Sequence, residues 1–571
     1  MSRWKKSLTV LLCSVLVLML AVSCAAPATP TPTVTPTPSS TTPTPSPTPT
    51  ITTPAREKIV RIVQSWPVYI DPAVGADNVA ELCTNNFYDT LITLDENSVP
   101  QPRVAEEWQI DPATLTYTFT IRQGIKFHNG DTLAASDVVY SLKRMMTIGE
   151  GWGFMFRDNV KDVSAPDAQT VTITLEKPIG PFLLYLLHLA IVNEKLVTQN
   201  AKTDGPYGTF GDYGKEWLLT HDAGSGPYMV KEMNLQESVI GTRFPDYWQG
   251  WDPNAPDTFK VIGSTEPVTV RTLMAQQQLE LSDEWQPTEN YDAMAKLPGV
   301  KVANLRTGAP LAVMFNTSKP PFDDVNFRRA VMYAFDYKTC QELILPGSVR
   351  SRGPVSPVIP GGDVGLPIIE QDMTKAAAEL ALSPYANQLD QYPIEFWWNS
   401  VVPDQEKISL LLQSNCAALG ITVNVVKSSW TQFVDAAAKP ETTPHIFPVI
   451  ETAIPYPEAG AILEYMYKSS TRGTFSNMHW FDATTQVEID QMLDDALVTI
   501  DTTERLAKYK AIILKLIDLA PTIWAVEMPQ RHAYQAGYLE WPTATTNDKG
   551  ETINLMPGLR MQFKDFRFKG E

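Results

Sequence analysis

Histidine and cysteine are scarce in this chain of 571 residues, at six and five copies. No His-Glu-x-x-His segment occurs, and no cysteine cluster has metal spacing, so the common zinc motifs are excluded. Gly224-Ser225-Gly226 lacks the glycine spacing of an α/β-hydrolase nucleophile elbow. A glycine-rich phosphate loop is also missing, and no self-similarity at solenoid spacing is found. Carboxylates are plentiful, but in an acidic chain their pairing carries no weight. The expectation is a non-enzyme without metal or cofactor. Basic residues are in deficit too: 46 Lys and Arg against 64 Asp and Glu, a formal charge of -18. That field repels nucleic acid and anionic lipid, so neither is expected as a general partner.

Long apolar runs are likewise lacking. Leu8 to Val22 spans about 15 residues, short of the roughly 20 that a membrane-crossing helix needs. Arg3, Lys5 and Lys6 precede it, and Ala21-Val22-Ser23-Cys24 ends it. This resembles a bacterial lipoprotein signal over 1–23, which implies that Cys24 carries the lipid. A simple secretory signal cut near Ala26 is the alternative. From Ala25 to Pro54 only Ala, Pro, Thr, Val, Ser and Ile occur. Alternating prolines fix φ and remove donors, so 24–55 reads as a semi-rigid tether that holds a domain off the membrane. Beyond Cys13 and Cys24 remain Cys83, Cys340 and Cys416. Three cannot all pair within one chain; a Cys340–Cys416 disulfide and three buried free thiols both fit.

What is present in quantity is core material, with 44% hydrophobic and 10% aromatic residues. A chain of this length predicts two or more lobes. A first strand is expected within Glu57 to Ser65, a helix over Ala80 to Leu94, and a turn at Asp95-Glu96-Asn97. Leu115, Tyr117, Phe119 and Ile121 alternate with polar residues, as do Val171, Ile173 and Leu175, which marks half-buried strands. Between them Val138, Leu142 and Met145 have helical spacing. Further on, Ala312 to Phe315 reads as a short strand. Asp324 is placed to cap a helix burying Phe327, Val331, Ala334 and Phe335. Ile394, Phe396 and Trp398 alternate, Ile408 to Ala418 reads as a helix stopped by Gly420, and Ile421, Val423 and Val425 as a strand. A last helix is expected over Glu504 to Leu519, ended by Pro521.

Four ordered blocks then carry a resemblance. Pro102-Arg103-Val104-Ala105-Glu106-Glu107-Trp108 leads through Gly124-Ile125-Lys126-Phe127-His128-Asn129-Gly130 to Asp137-Val138-Val139-Tyr140-Ser141-Leu142. Gly224-Ser225-Gly226-Pro227-Tyr228 follows with Asp246-Tyr247-Trp248, then Phe315-Asn316-Thr317 with Pro320-Pro321-Phe322-Asp323-Asp324, then Arg328-Arg329-Ala330 with Ala334-Phe335-Asp336. Over about residues 57–560 the chain resembles family 5 of the bacterial extracellular solute-binding proteins. The motifs read as architectural: Gly124 and Gly130 suit turns of unusual φ, and His128 a structural histidine. Ala134 stands where relatives often have a capping threonine, so Ser136 or Asp131 is expected to compensate.

The resemblance implies an α/β, two-lobed periplasmic-binding-protein-like fold with mixed sheets and flanking helices. One lobe would be 56–306 with 526–571, carrying a subdomain at about 100–190; the other would be 307–525. It implies the binding component of an ABC importer, lipid-anchored on the outer face of the cytoplasmic membrane, working with permease subunits as a monomer. Peptides lead as solute; oligosaccharides, a metal chelate and a surface sensor role are the alternatives. In peptide-binding relatives an aspartate before a Tyr-Pro-Asp-like stretch pairs with the peptide α-amine. Here Pro455 precedes Tyr456-Pro457-Glu458, and Glu451 is the nearby carboxylate that can replace it. Trp285, Trp398, Trp430 and Tyr456 are candidate cleft walls, and Asn316 a candidate polar contact.

Overall fold

The computed structural model describes residues 56–95, 98–264, 266–450, 455–544 and 561–570. The signal and tether, Cys24, Glu451 and part of the turn at 95–97 therefore lie outside the described residues. The chain divides into two units, Met1–Arg56 and Glu57–Glu571, and every described strand and helix belongs to the second.

Strand β1 (Ile59–Gln64) opens it, followed by helix α1 (Asn78–Phe87), whose start is capped by Asp77 accepting from the amides of Val79 and Ala80. The sequence pattern runs this helix to Leu94, but it stops seven residues earlier. Tyr88 turns extended and Asp89 enters the core, where its carboxylate takes hydrogen bonds from Arg103, Ser225, Tyr247 and Trp248 at 2.8 to 3.3 Å. Segments of the motif blocks thus meet on one buried aspartate, which explains their residue types: they build the first core. A ribbon of β2 (Ile92–Leu94) and β3 (Pro100–Pro102) comes next.

Strands β4 (Ala105–Asp111), β5 (Thr116–Ile121), β6 (Val160–Ser164) and β7 (Thr170–Leu175) form an antiparallel sheet in the order β4-β5-β7-β6. Tyr117, Phe119 and Ile121 point inward, as do Val171, Ile173 and Leu175. Helix α2 (Ala135–Ile148) packs against it. Its missing side-chain cap is compensated by Asp137, not by Ser136 or Asp131. One Asp137 oxygen accepts from the Ala134 amide at 2.9 Å, the other from the Glu194 amide at 3.0 Å. Gly124 and Gly130 have φ of +82° and +89°, turns that any Cβ would strain. His128 is structural: buried, it bonds Asp222 and the Gly226 carbonyl. Burial pushes its pKa down, but the Asp222 carboxylate and these bonds more than offset that and raise it.

Strands β8 (Tyr228–Asn234), β9 (Ser238–Arg243) and β10 (Thr258–Gly263) join β1 in a second sheet, with β10 parallel to β1. Then β11 (Lys301–Phe315), far longer than the pattern predicts, enters a six-stranded sheet. Its other strands are β12 (Val349–Arg350), β13 (Ile394–Asn399), β14 (Val423–Ser428), β15 (Ile446–Ile450) and β16 (Thr522–Tyr534), in the order β12-β16-β11-β15-β13-β14 among the described residues. A ribbon of β17 (Leu539–Glu540) and β18 (Arg567–Phe568) closes the chain.

Two large cores result. One gathers Val60 to Val261 with Leu539 to Phe568; the other gathers Leu311 to Val526. The antiparallel pair β11/β16 runs from one to the other. Ala303 and Leu305 pack into the first core, Leu311 to Phe315 into the second. Between them the ladder slips twice, at Arg306/Ala309 and at Leu311/Ala312. Gly308 takes φ of +75° there, and Arg306 pairs with Glu527 at 3.0 Å. In the second core Asp324 caps the helix Val325–Ala334, and Arg328 of the fourth block donates to the carbonyls of Phe322 and Leu519. Cys83, Cys340 and Cys416 are buried free thiols, so no Cys340–Cys416 bridge forms. Burial raises the pKa of all three.

Candidate functional site

Strands β13, β14 and β15 are parallel to one another, with β15 antiparallel to β11. Ile450, the carboxyl end of β15, pairs with Leu311, and β11 continues from there back into the first core. The carboxyl ends of all three parallel strands therefore open toward the first core. In open α/β sheets that edge is where loops leave the backbone free to receive a ligand. Three sequence candidates fall there: Trp398 near the end of β13, Trp430 two residues past β14, and Tyr456 in the segment after β15.

The described candidates do not share one role. Trp430 is 39% exposed on the first turn of the helix Trp430–Ala437, where a Ser429/Gln432 capping box fixes it and Phe475 packs edge-on at 5.0 Å. Trp285 is 50% exposed. Its loop is rigid, because Asp283 accepts from the Trp285 amide at 2.8 Å and from Gln286 at 2.6 Å. Glu284 beside it takes hydrogen bonds from Gln64 at 2.7 Å and Asn78 at 3.3 Å. Both indoles thus present faces on anchored backbone.

The other three are buried. Trp398 is only 5% exposed, with the Lys427 ammonium 5.4 Å over its ring. Asn316 is fully buried; its amide donates to the Pro440 and Thr443 carbonyls, and its oxygen accepts from Ser318. No part of it is left for a solute. Tyr456 is 3% exposed and packs into the first core, 5.2 Å from the ring of Tyr185. It joins the two bodies like a clasp.

That clasp has further members. His188 donates Nε2–H to the Pro455 carbonyl, and the Gly180 amide donates to the Leu497 carbonyl at 2.8 Å. Beneath the turn, Glu458 and Arg505 form a bidentate pair, both bonds 2.8 Å, with the Tyr509 hydroxyl donating to Glu458 at 3.0 Å. On the far side Lys407 reaches Glu289 at 3.1 Å. Sequence reasoning missed Tyr185, His188 and Glu458, whose roles depend on pairings more than 40 residues away. Among the described residues no His, Cys, Asp and Glu group is arranged to hold a metal ion.

Two separately cored bodies, strung on one strand pair and facing each other across the carboxyl edge of a parallel sheet, define the class of two-lobed solute-binding proteins. The chain belongs to a particular branch of it: the model of the bacterial extracellular solute-binding proteins, family 5 Middle, matches residues 99–473. The chain is 26% identical over 469 residues to the probable D,D-dipeptide-binding periplasmic protein DdpA of Escherichia coli, covering 80% of this chain and 86% of that one. The fold matches the substrate-binding protein CtaP of Listeria monocytogenes with a TM-score of 0.75 at 17% identity, over 90% of this chain and all of that one. It also matches the periplasmic binding protein DppA of Helicobacter pylori, solved with the peptide STSA, with a TM-score of 0.68 at 20% identity, over 90% and 98% of the two chains.

Proposed function

We propose that this protein is the substrate-binding component of an ABC importer that closes on short peptides. The cleft lies between a lobe of 56–306 with 526–571, including a subdomain at about 100–190, and a lobe of 307–525. The supporting observation is the carboxyl edge of β13, β14 and β15, turned toward the other core, with Trp430 exposed just past β14. Relatives named for dipeptide and peptide binding support the solute class. Flat aromatic faces take up varied side chains without selecting one, and closure replaces water by fixed walls. The two register slips in β11/β16 supply compliance for closure, which the permease subunits would read.

Trp285 and Trp430 are the proposed contact residues; Tyr456, Trp398 and Asn316 position the walls. Position 455 supplies no carboxylate, so the usual second-lobe amine anchor is replaced or absent. Cys24 carries the lipid, and the tether 24–55, at roughly 3 Å per residue, lets the monomer sweep on the order of 100 Å from the outer face of the membrane. The test is mass spectrometry of solute released from gently purified protein. A ladder of peptides supports the reading; a discrete sugar or metal chelate overturns it.

A further inference from the structure

The first lobe has a carboxyl edge of its own. Strand β10 is parallel to β1, and Leu281 bridges Ile62 in parallel and Tyr534 of β16 antiparallel. Strand β16 enters the first core from the second, so β1, β10 and the segment through Leu281 run the opposite way, toward the second lobe. Each of the two bodies thus turns the carboxyl ends of its parallel strands toward the other. The three most exposed tryptophans among the described residues all stand just past such ends. Trp66, at 56%, lies two residues beyond β1; Trp285, at 50%, four beyond Leu281; Trp430, at 39%, two beyond β14. A single exposed apolar side chain is ordinary on a protein surface, but the convergence of three indoles on two edges is not. Trp66 is anchored as firmly as the other two. The Ser264 amide donates to the Gln64 carbonyl at 2.9 Å and the Gln236 amide to the Pro67 carbonyl at 2.8 Å, which pins the backbone on both sides. Its ring lies on Gly263, where an added Cβ would come within 2.8 Å of the indole Cδ1. The Glu284 carboxylate beside Trp285 is turned on Gln64 and Asn78, while the indoles keep open faces.

From this arrangement we propose that Trp66, Trp285 and Trp430 make the protein selective for solutes with a large apolar side chain, aromatic ones foremost, Trp66 and Trp285 forming the first-lobe wall. The inference rests on the peptide-importer reading above and names which peptides are taken. Closure onto a phenylalanine, tryptophan or leucine side chain removes indole and solute surface from water together, and an aromatic solute adds ring–ring contact. A serine side chain gains little there, and a lysine has to give up its water. An indole face accepts any large apolar group, so the preference is for a class and not for one residue.

The test uses full-length protein, unfolded to strip its solute and refolded. It is offered an equimolar mixture of tripeptides that carry one phenylalanine, tryptophan, leucine, serine or lysine at each position in turn and alanine elsewhere, and retained peptides are read by mass spectrometry. The expected result is that wild type retains the phenylalanine and tryptophan members about tenfold over the serine ones at one position or more. Trp66→Ala and Trp285→Ala should each lower that ratio severalfold, and Trp66→Phe and Trp285→Phe should keep most of it. Retention of the serine members should stay as in wild type, which a merely damaged fold would not give. An unchanged ratio in both alanine variants overturns the wall while leaving peptide binding intact. A wild type that retains all side chains alike, or lysine members foremost, overturns it too. Retention of no peptide by wild type overturns both readings. Should an alanine variant misfold, Trp66→Leu and Trp285→Leu decide: a fall in the phenylalanine-to-leucine ratio supports the wall, and no change sinks it.

Discussion

Replacing Arg505 by methionine tests whether the clasp is built on a desolvated ion pair. Arg505 is 3% exposed in the first turn of the helix Thr502–Leu519, and Glu458, equally buried, stands just before the helix Ala459–Tyr467 without capping it through its side chain. Methionine keeps an unbranched apolar stem against Gly180, where a Cβ would lie 2.6 Å from the Arg505 Cδ, so packing changes little. What is lost is both charge-assisted bonds to Glu458 and the two bonds to the carbonyls of Thr499 and Ile500 at 2.9 Å. Glu458 is left buried with only the Tyr509 hydroxyl. Breaking one side of such a pair costs about 3–5 kcal/mol, against a net stability of roughly 5–15 kcal/mol for a domain. Urea unfolding followed by tryptophan fluorescence should show the unfolding free energy falling by that amount, as a lower midpoint at an unchanged slope. The Glu458→Met/Arg505→Met double variant should recover most of it, because two apolar side chains leave no charge stranded. A single variant within about 1 kcal/mol of wild type would refute the reasoning, since the pair would then be solvated in practice.

Gly224→Ala should destabilise by at least about 1–3 kcal/mol, as its Cβ would sit 1.9 Å from the Phe87 carbonyl oxygen; an unchanged melting temperature counts against the tight approach. Burial pushes Asp283 from the usual 3.8 up to about 7, opposed by its bonds to Trp285 and Gln286. The folded state therefore holds its proton more tightly than the unfolded chain, and stability should fall by a few kcal/mol as pH rises from about 4 to about 7, then level off. Asp283→Asn should flatten that segment of a pH–stability curve; the same slope in both proteins assigns it elsewhere. Cys24→Ser should move the protein from membrane to soluble fractions, and unchanged membrane retention would end the lipid-anchor proposal.

Half-buried strands were legible because a single core fixes their period: β7 matches its alternation residue for residue, and β5 does so from Tyr117 onward, while Leu115 stands before the strand at φ of +55°. The strand β11 was not, for a physical reason. Its first residues serve one core and its last another, and Gly308 and Pro310 interrupt the alternation at the crossing, so only Ala312 to Phe315 reads as a strand. The motif blocks identified the family, yet Asp89, on which Arg103, Ser225 and Trp248 converge, belongs to no block and had no periodic signature.

The candidate site divides along the same line. Trp285 and Trp430 were found by residue type, as were Trp398 and Tyr456, and only the latter pair is buried. An aromatic at the end of a strand satisfies a core and a cleft equally, because both reward the removal of apolar surface from water. Polar residues suffer the converse ambiguity. Glu81, Thr84, Asn85 and Tyr88 make the stripe that any solvated helix face shows, and nothing local says that a cavity covers it. Coverage comes from Trp152 and His188, 71 and 107 positions beyond Glu81, and from Pro455 on the other body. A binding protein that works by closure must assemble its site from distant segments, since a site complete within one lobe would bind without registering whether the lobes had met. The local pattern can therefore identify each body, but a contact such as that of His188 with Pro455 exists only where the two bodies touch.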